Sequence, residues 1–374
     1  MLAFTSMTTT GLRTVELGRT GMRITRVGMG AWAIGGAGWW HAWGAQDDEE
    51  SIATLRRGFE LGINWVDTAP IYGLGHSEEV VGRALEGLTE RPYVFTKASL
   101  LDGGDNSVRH NLKRDSLLRE IEASLTRMRV DVIDLYQVHW PDPDEDVEEG
   151  WSTFAEIKEQ GLVRHIGVSN FDVAQLRRAQ AIAPVETLQP PYSLLERAAE
   201  DEVLPFAQSE EIGVIGYSPM ASGLLTGAMT AERIAAMPDD DWRKHDPRFQ
   251  EPQLSRHLAL VARLQQVAER HDTTAGAIAV AWTLQHPAVH GSIVGFRRPE
   301  RAQVGQHAGG GEVAGVQDEV RCAQALDAGD RQRARAAGQV GVGDDRQQQA
   351  HAPAIMARSS SVSSTLPARA SACT

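Results

Sequence analysis

The sequence predicts a single closed (β/α)8 barrel of the TIM type over residues 14–300, with a short β-hairpin as its floor. Three observations lead there. Apolar, strand-like runs alternate with helix-period stretches: NWVDTAPIY, YVFTKA and VIDLYQVHW are separated by SEEVVGRALEGL and RDSLLREIEASLTRM, and this alternation is that of parallel βα units. With the later runs the count of strands reaches about eight, the number that closes a barrel. The chain has 374 residues, and such a barrel needs roughly 250.

The elements follow in order. RTVELGRTGMRITRVGMG holds two short β-like runs around the turn Leu17-Gly18-Arg19-Thr20-Gly21, and its second run leads into a first barrel strand over Ile24 to Gly30. Asp47 or Asp48 can cap a helix whose Ile52, Leu55 and Phe59 share one face, and Gly62 ends it. Ser77, Glu78 and Glu79 open the next helix, where acidic side chains suit the positive N-terminus. Trp151, Phe154 and Ile157 line another helix, stopped by Gly161, and Asp172 caps the one after HIGVSN. The remaining strands are HIGVSN, ETLQP, GVIGYS and HGSIVGF. The Asp/Arg/Pro-rich stretch from Ala228 to Arg256 breaks the alternation and is expected as a loop inserted over the mouth. After Glu300 the character changes. No aromatic residue follows Phe296 and no Lys follows Lys244, so residues 301–374 cannot bury much apolar surface and are expected as a disordered tail.

Bulk properties exclude several classes. A net charge of -13 leaves no basic stripe for a nucleic acid. The 2 Cys residues, Cys322 and Cys373, lie near the C-terminus, so the main body holds neither a disulfide framework nor a Cys-based zinc site. MLAFTSMTTTGL lacks the layout of a signal peptide, and no run reaches the ~18 apolar residues of a membrane span. A cytoplasmic enzyme with a small-molecule substrate, and with neither nucleic acid nor membrane as partner, is expected; its oligomeric state is left open.

Asp67, Tyr72, Lys97 and His139 each stand at or just past the end of an apolar run. In a barrel the C-terminal strand ends converge on one mouth, where active sites lie. Taken singly, each has a plainer reading: Asp67 as a helix cap, Tyr72 as a loop aromatic, His139 as a core histidine. Lys97 is harder to dismiss, because lysine rarely enters a buried strand unpaired. Together the four form a proton-transfer set. An ammonium and an imidazole beside a phenol would lower its pKa from about 10, and Asp67 would hold Lys97. The product would be a general acid for a carbonyl oxygen. Trp32, Trp39, Trp40 and Trp43 crowd the first βα loop; they either wall an apolar pocket, Trp32 foremost, or pin the loop. His41, His76 and His110 have no metal-ligand spacing.

The motifs GINWVDTAPIYG, VFTKA, DLYQVHW, RHIGVSNF, LQPPYSLLER, GYSPMASGLLTG and IVGFRRPE resemble those of the aldo-keto reductases, and among these the bacterial branch that includes relatives of the potassium-channel β-subunits. The resemblance runs from about Thr14 to Glu300. It implies an NADPH-dependent reductase of aldehydes or ketones with Asp67, Tyr72, Lys97 and His139 as the catalytic tetrad and Tyr72 as the acid/base. It implies further that Ser169, Asn170 and Gln189 hold the nicotinamide carboxamide, that Tyr217 stacks on the nicotinamide ring, and that Ser218, Met220, Gly223 and Leu224 follow the pyrophosphate. Gly295 and Arg297 mark the region that grips the adenosine 2′-phosphate, and Trp32 joins the cofactor-side residues. No metal is implied. A GxGxxG fingerprint is absent, as expected for a family that binds NADPH without a Rossmann domain. After RRPE the family continues with a Gln and then an Asn; here Arg301 follows. An alternative reading is therefore an NADPH-binding redox-sensing module with weak turnover.

Overall fold

The computed structural model describes residues 12–104, 107–239 and 241–296. Arg297 and the expected tail lie outside the described residues. Thr14–Glu16 (β1) and Arg23–Thr25 (β2) form the antiparallel hairpin, with Val15 opposite Ile24. The expected strand from Ile24 to Gly30 is two strands. The chain turns at Arg26, so that Thr25 stays in the hairpin and Val27–Gly30 (β3) enters the barrel. The apolar alternation slips by one residue at Arg26, from Met22 and Ile24 to Val27 and Met29, and that slip was the sequence signal of the break.

Seven more parallel strands close the ring: Trp65–Asp67 (β4), Tyr93–Ala98 (β5), Ile133–Val138 (β8), Val163–Ser169 (β9), Thr187–Gln189 (β10), Gly213–Gly216 (β11) and Val289–Gly295 (β12). The last strand pairs with the first, from Ser292 beside Val27 to Gly295 beside Gly30. The missing numbers belong to a second hairpin, Leu100–Asp102 (β6) and Val108–His110 (β7), which rises from the end of β5. Sequence patterning gives no warning of it, because its strands are only three residues each, LLD and VRH, too short to show an alternation.

Helices pack outside the strands: Asp48–Glu60 (α1), His76–Leu85 (α2), Arg114–Met128 (α3), Val147–Glu159 (α4), Val173–Gln180 (α5) and Val203–Ser209 (α6). Their buried faces are those the periodicity names. Ile52 and Leu55 of α1, and Trp151, Phe154 and Ile157 of α4, lie in the main core, each contributing about 1.5–3 kcal/mol by burial. Asp47 caps α1 by accepting from the Glu50 N–H at 2.8 Å. Asp172 and Gln175 form a reciprocal capping box at α5. The α2 helix opens one residue before Ser77, whose hydroxyl instead donates to the Ala31 carbonyl at 2.8 Å.

The barrel floor is a second apolar cluster. Leu17, Met22 and Ile24 of the hairpin region meet Trp65, Phe95, Leu135, Ile215 and Ile293 from inside the barrel. Trp65 lies across this interior and donates its indole N–H to the Thr25 carbonyl at 2.8 Å. Gly28 must be glycine here, since a Cβ would stand 2.1 Å from the Trp65 ring. The inserted stretch holds a short helix, Ala231–Ala235 (α7), and two 3-10 turns; Gln253–Arg270 (α8) and Ala275–Thr283 (α9) then lead to β12.

Candidate active site

The C-terminal ends of β4, β5 and β8 bring the four predicted side chains together. Asp67 ends β4, Lys97 lies near the end of β5, His139 follows β8, and Tyr72 stands on the loop after β4. Lys97 is fully buried and donates to Asp67 Oδ1 at 2.5 Å and to the Thr68 carbonyl at 2.9 Å. Its ammonium stands 5.2 Å from the Tyr72 ring centroid. The His139 ring meets the Tyr72 ring edge-on, centroids 5.7 Å apart. A buried ion pair of this kind is costly to break, about 3–5 kcal/mol if one partner is removed.

Asp67 is held from a second side. Its Oδ2 accepts from the Gln189 amide at 3.0 Å and from the Gln137 amide at 3.4 Å, and Gln189 also donates to Gln137 Oε1 at 3.2 Å. The Gln189 amide nitrogen thus serves Asp67 and Gln137, and its side-chain oxygen is the group left to meet a carboxamide. Gln137 was missed. A polar residue within the buried stretch LYQV was the available signal.

The electrostatics correct one expectation. The Tyr72 phenol is raised, not lowered, on balance. Burial raises its pKa well above 10, and the Asp67 carboxylate adds to the rise. Tyr72 is half-buried by surface area, so protein surrounds the ring densely while an edge still reaches the mouth. Burial lowers Lys97 as well, opposed by its contact with Asp67 and by Glu78. His139 is driven well below the usual imidazole range by burial, then by Lys97 and His110. Its Nδ1 is buried without a hydrogen-bond partner. The site thus holds a protonated phenol beside a neutral imidazole, the forms of a proton donor rather than of a phenolate base.

The next strand ends carry the predicted cofactor residues. Ser169 ends β9 and donates to the Gln189 carbonyl at 2.8 Å. Asn170, with φ 64, donates to Ser169 Oγ and to the His139 carbonyl, both at 3.0 Å, and accepts the Tyr217 hydroxyl at 2.9 Å. That last bond fixes the Tyr217 ring just past β11. Beyond it the backbone enters left-handed conformations at Ser218, Ala221, Ser222 and Gly223. Such a run is costly for L residues and survives where the surroundings dictate it; turned backbone of this type forms concavities for anions. Leu224 is fully buried in the core and Met220 packs against it, so an anion at this turn would meet backbone rather than those side chains. Gly295, at the exposed end of β12, lies beside Gly30.

The first βα loop and the inserted stretch meet over the mouth. Trp32 stacks on Tyr72 (centroids 6.1 Å, planes 23° apart) and on Trp242 (5.8 Å, 12°). Trp39 also faces Tyr72 at 6.2 Å, while Trp43 meets both Trp32 and Trp242 edge-on. Trp242, in the inserted stretch, was not singled out from sequence because nothing local ties it to the first loop. Among the described residues no group of three His, Cys, Asp or Glu side chains is arranged to hold a metal, and no helix is long and apolar enough to cross a membrane.

The sequence profile of the Aldo/keto reductase family matches residues 26–307. The chain belongs to that family. Aldo-keto reductase YhdN of Bacillus subtilis (strain 168) is 41% identical over 283 residues, 75% of this chain and 83% of the relative. The NADH-specific methylglyoxal reductase of Escherichia coli (strain K12) is 32% identical over 307 residues, 78% of this chain and 92% of the relative. Among solved structures, the glycerol dehydrogenase AKR11B4 from Gluconobacter oxydans superimposes with a TM-score of 0.74 at 34% identity, covering 86% of this chain and 95% of that one. As an aldo-keto reductase, this chain is a nicotinamide-dependent oxidoreductase acting on small-molecule carbonyl compounds.

Proposed function

We propose that this reductase converts aldehydes or ketones to alcohols with NADPH, and that Tyr72 donates the proton. The observation that carries this reading is the geometry of Tyr72, its ring set beside the buried Lys97–Asp67 pair and His139 and stacked on Trp32. Bound NADPH would supply the hydride. Tyr72 gives its proton to the carbonyl oxygen, and Lys97 stabilises the phenolate left behind. Asp67 holds Lys97 charged, and the neutral His139 orients the carbonyl oxygen toward the phenol. Ser169, Asn170 and Gln189 would hold the carboxamide, Tyr217 the ring face, and the backbone from Ser218 to Leu224 the pyrophosphate. Trp32, Trp39 and Trp242 exclude water and favour an apolar substituent on the substrate. Gly295 and Arg297 would hold the adenosine end. The Escherichia coli relative is NADH-specific by name, so the choice of cofactor here rests on Arg297.

The test is Tyr72→Phe. Removing a general acid should lower turnover on the order of 10²–10⁴-fold, while NADPH binding, followed by quenching of tryptophan fluorescence, stays close to that of the parent. Turnover equal to the parent's would reject Tyr72 as the donor.

A further inference from the structure

Outside the barrel wall at β5, α2 and α3 carry two buried carboxylates, Glu78 and Glu120. Glu78 is matched: its Oε1 accepts from Thr96 Oγ1 at 2.6 Å and its Oε2 from Arg127 Nε at 2.7 Å. Glu120 is different. Its Oε1 accepts from Ser116 Oγ at 3.0 Å and its Oε2 from the Ser99 backbone N–H at 3.0 Å. Among the described residues no cation forms an ion pair with it. A buried carboxylate without a cation is costly to keep, so what it holds is informative.

It holds Ser99. This residue has φ 88, a conformation that costs a non-glycine residue about 1–3 kcal/mol. Every polar group of Ser99 is engaged. The N–H goes to Glu120, the carbonyl accepts the Asn111 N–H at 2.9 Å, and the hydroxyl bridges both the Trp140 carbonyl (3.3 Å) and the Trp140 N–H (3.4 Å). Ser99 therefore joins the end of β5, two residues past Lys97, to the residue after His139. The adjacent Ala98 carbonyl accepts the His139 N–H at 2.9 Å. The turn at Ser99 thus lies between the strand end that carries Lys97 and the segment that carries His139.

We propose that Glu120 is a positioning residue for the reaction, locking Ser99 in its left-handed conformation and through it the spacing of Lys97 and His139 around Tyr72. The proposal rests on the reading of those residues given above. Glu120 touches neither of them. Burial pushes its carboxyl up to about 7, with Glu78 adding to the rise and the Ser99 N–H, Ser116 and Arg127 opposing it.

Steady-state kinetics, cofactor binding and thermal melts on four variants decide the matter. Tyr72→Phe tests the underlying site and should lose turnover whatever Glu120 does. Glu120→Ala removes the acceptor and should lower kcat by roughly tenfold or more, since small misplacements of reacting groups carry penalties of that order or larger, with the Kd for NADPH unchanged. Glu120→Gln keeps an oxygen for the Ser99 N–H and should restore most of kcat. Glu120→Asp withdraws the acceptor by one methylene and should fall between them; it serves if the alanine variant does not fold. If Glu120→Ala or Glu120→Asp melts lower yet turns over like the parent, Glu120 is structural only and the proposal fails. It also fails if Glu120→Gln is as impaired as Glu120→Ala. Parental turnover in Tyr72→Phe would instead overturn the reading of the site itself.

Discussion

Lys97 is buried in a β-strand, and its burial is tolerable because Asp67 lies 2.5 Å away and the Thr68 carbonyl accepts a second hydrogen bond from it. That much follows from sequence, since a lysine closing an apolar run needs an anion near it. What could not be read is the balance of effects on Tyr72. The sequence shows a cation and an imidazole near the phenol, and both would stabilise phenolate. The structure adds burial and the Asp67 charge, and these win. Gln137 was equally hidden, because its partners Asp67 and Gln189 are remote along the chain. The proposed preference for NADPH rests on Arg297. Its guanidinium can meet a 2′-phosphate through two parallel charge-assisted hydrogen bonds. Arg297→Ala is expected to weaken NADPH by about 1.5–3 kcal/mol while scarcely affecting NADH. Titrating both cofactors against parent and variant checks this, and equal weakening of the two would transfer the preference elsewhere.

The strands were legible because burial on both faces writes continuous apolar runs. The β6–β7 hairpin was not, since short antiparallel pieces leave little periodicity, and the break at Arg26 showed only as a one-residue slip in the apolar alternation. The contact between the first two βα loops also lies beyond pattern reading. Gly73 follows Tyr72 directly, has φ 63, and would place a Cβ 2.1 Å from the Gly35 carbonyl oxygen. Gly35 closes the 3-10 turn Trp32–Gly35, so this backbone contact seats Trp32 on Tyr72. Gly73→Ala meets both a disfavoured conformation and a clash with main chain, neither of which a side-chain rotation relieves. The expected outcome is a displaced Tyr72: kcat falls by roughly tenfold or more, with little change in the Kd for NADPH because Ser169, Asn170 and Tyr217 lie on other strands. Parallel kinetics and binding would reveal whether the two effects separate in this way.

Across the whole molecule, the two ends of the barrel divide stability from chemistry. Asp67 and Lys97 form their ion pair at the C-terminal ends of β4 and β5. At the opposite end Asp134, near the start of β8 and equally buried, accepts the Val94 N–H at 2.9 Å and pairs with Arg91 at 2.9 Å and Arg164 at 3.2 Å. It ties β5, β8 and β9 at their bases, far along each strand from the mouth. The two carboxylates should therefore fail differently. Asp134→Ala leaves the Val94 N–H buried and unpaired, which costs about 1–3 kcal/mol. Arg91 and Arg164 are partly exposed and can turn to water, so the loss should stay below the full 3–5 kcal/mol of a broken buried pair. At about 2–4 °C per kcal/mol for a domain of roughly this size, the melting temperature should drop by several degrees. The kcat of the folded variant, measured well below its melting point, should match the parent's, because no part of the Lys97–Asp67–Gln189 network depends on Asp134. A variant that keeps its melting temperature, or one that loses turnover while still folded, would show that the base of this barrel is coupled to its mouth more tightly than the hydrogen bonds indicate.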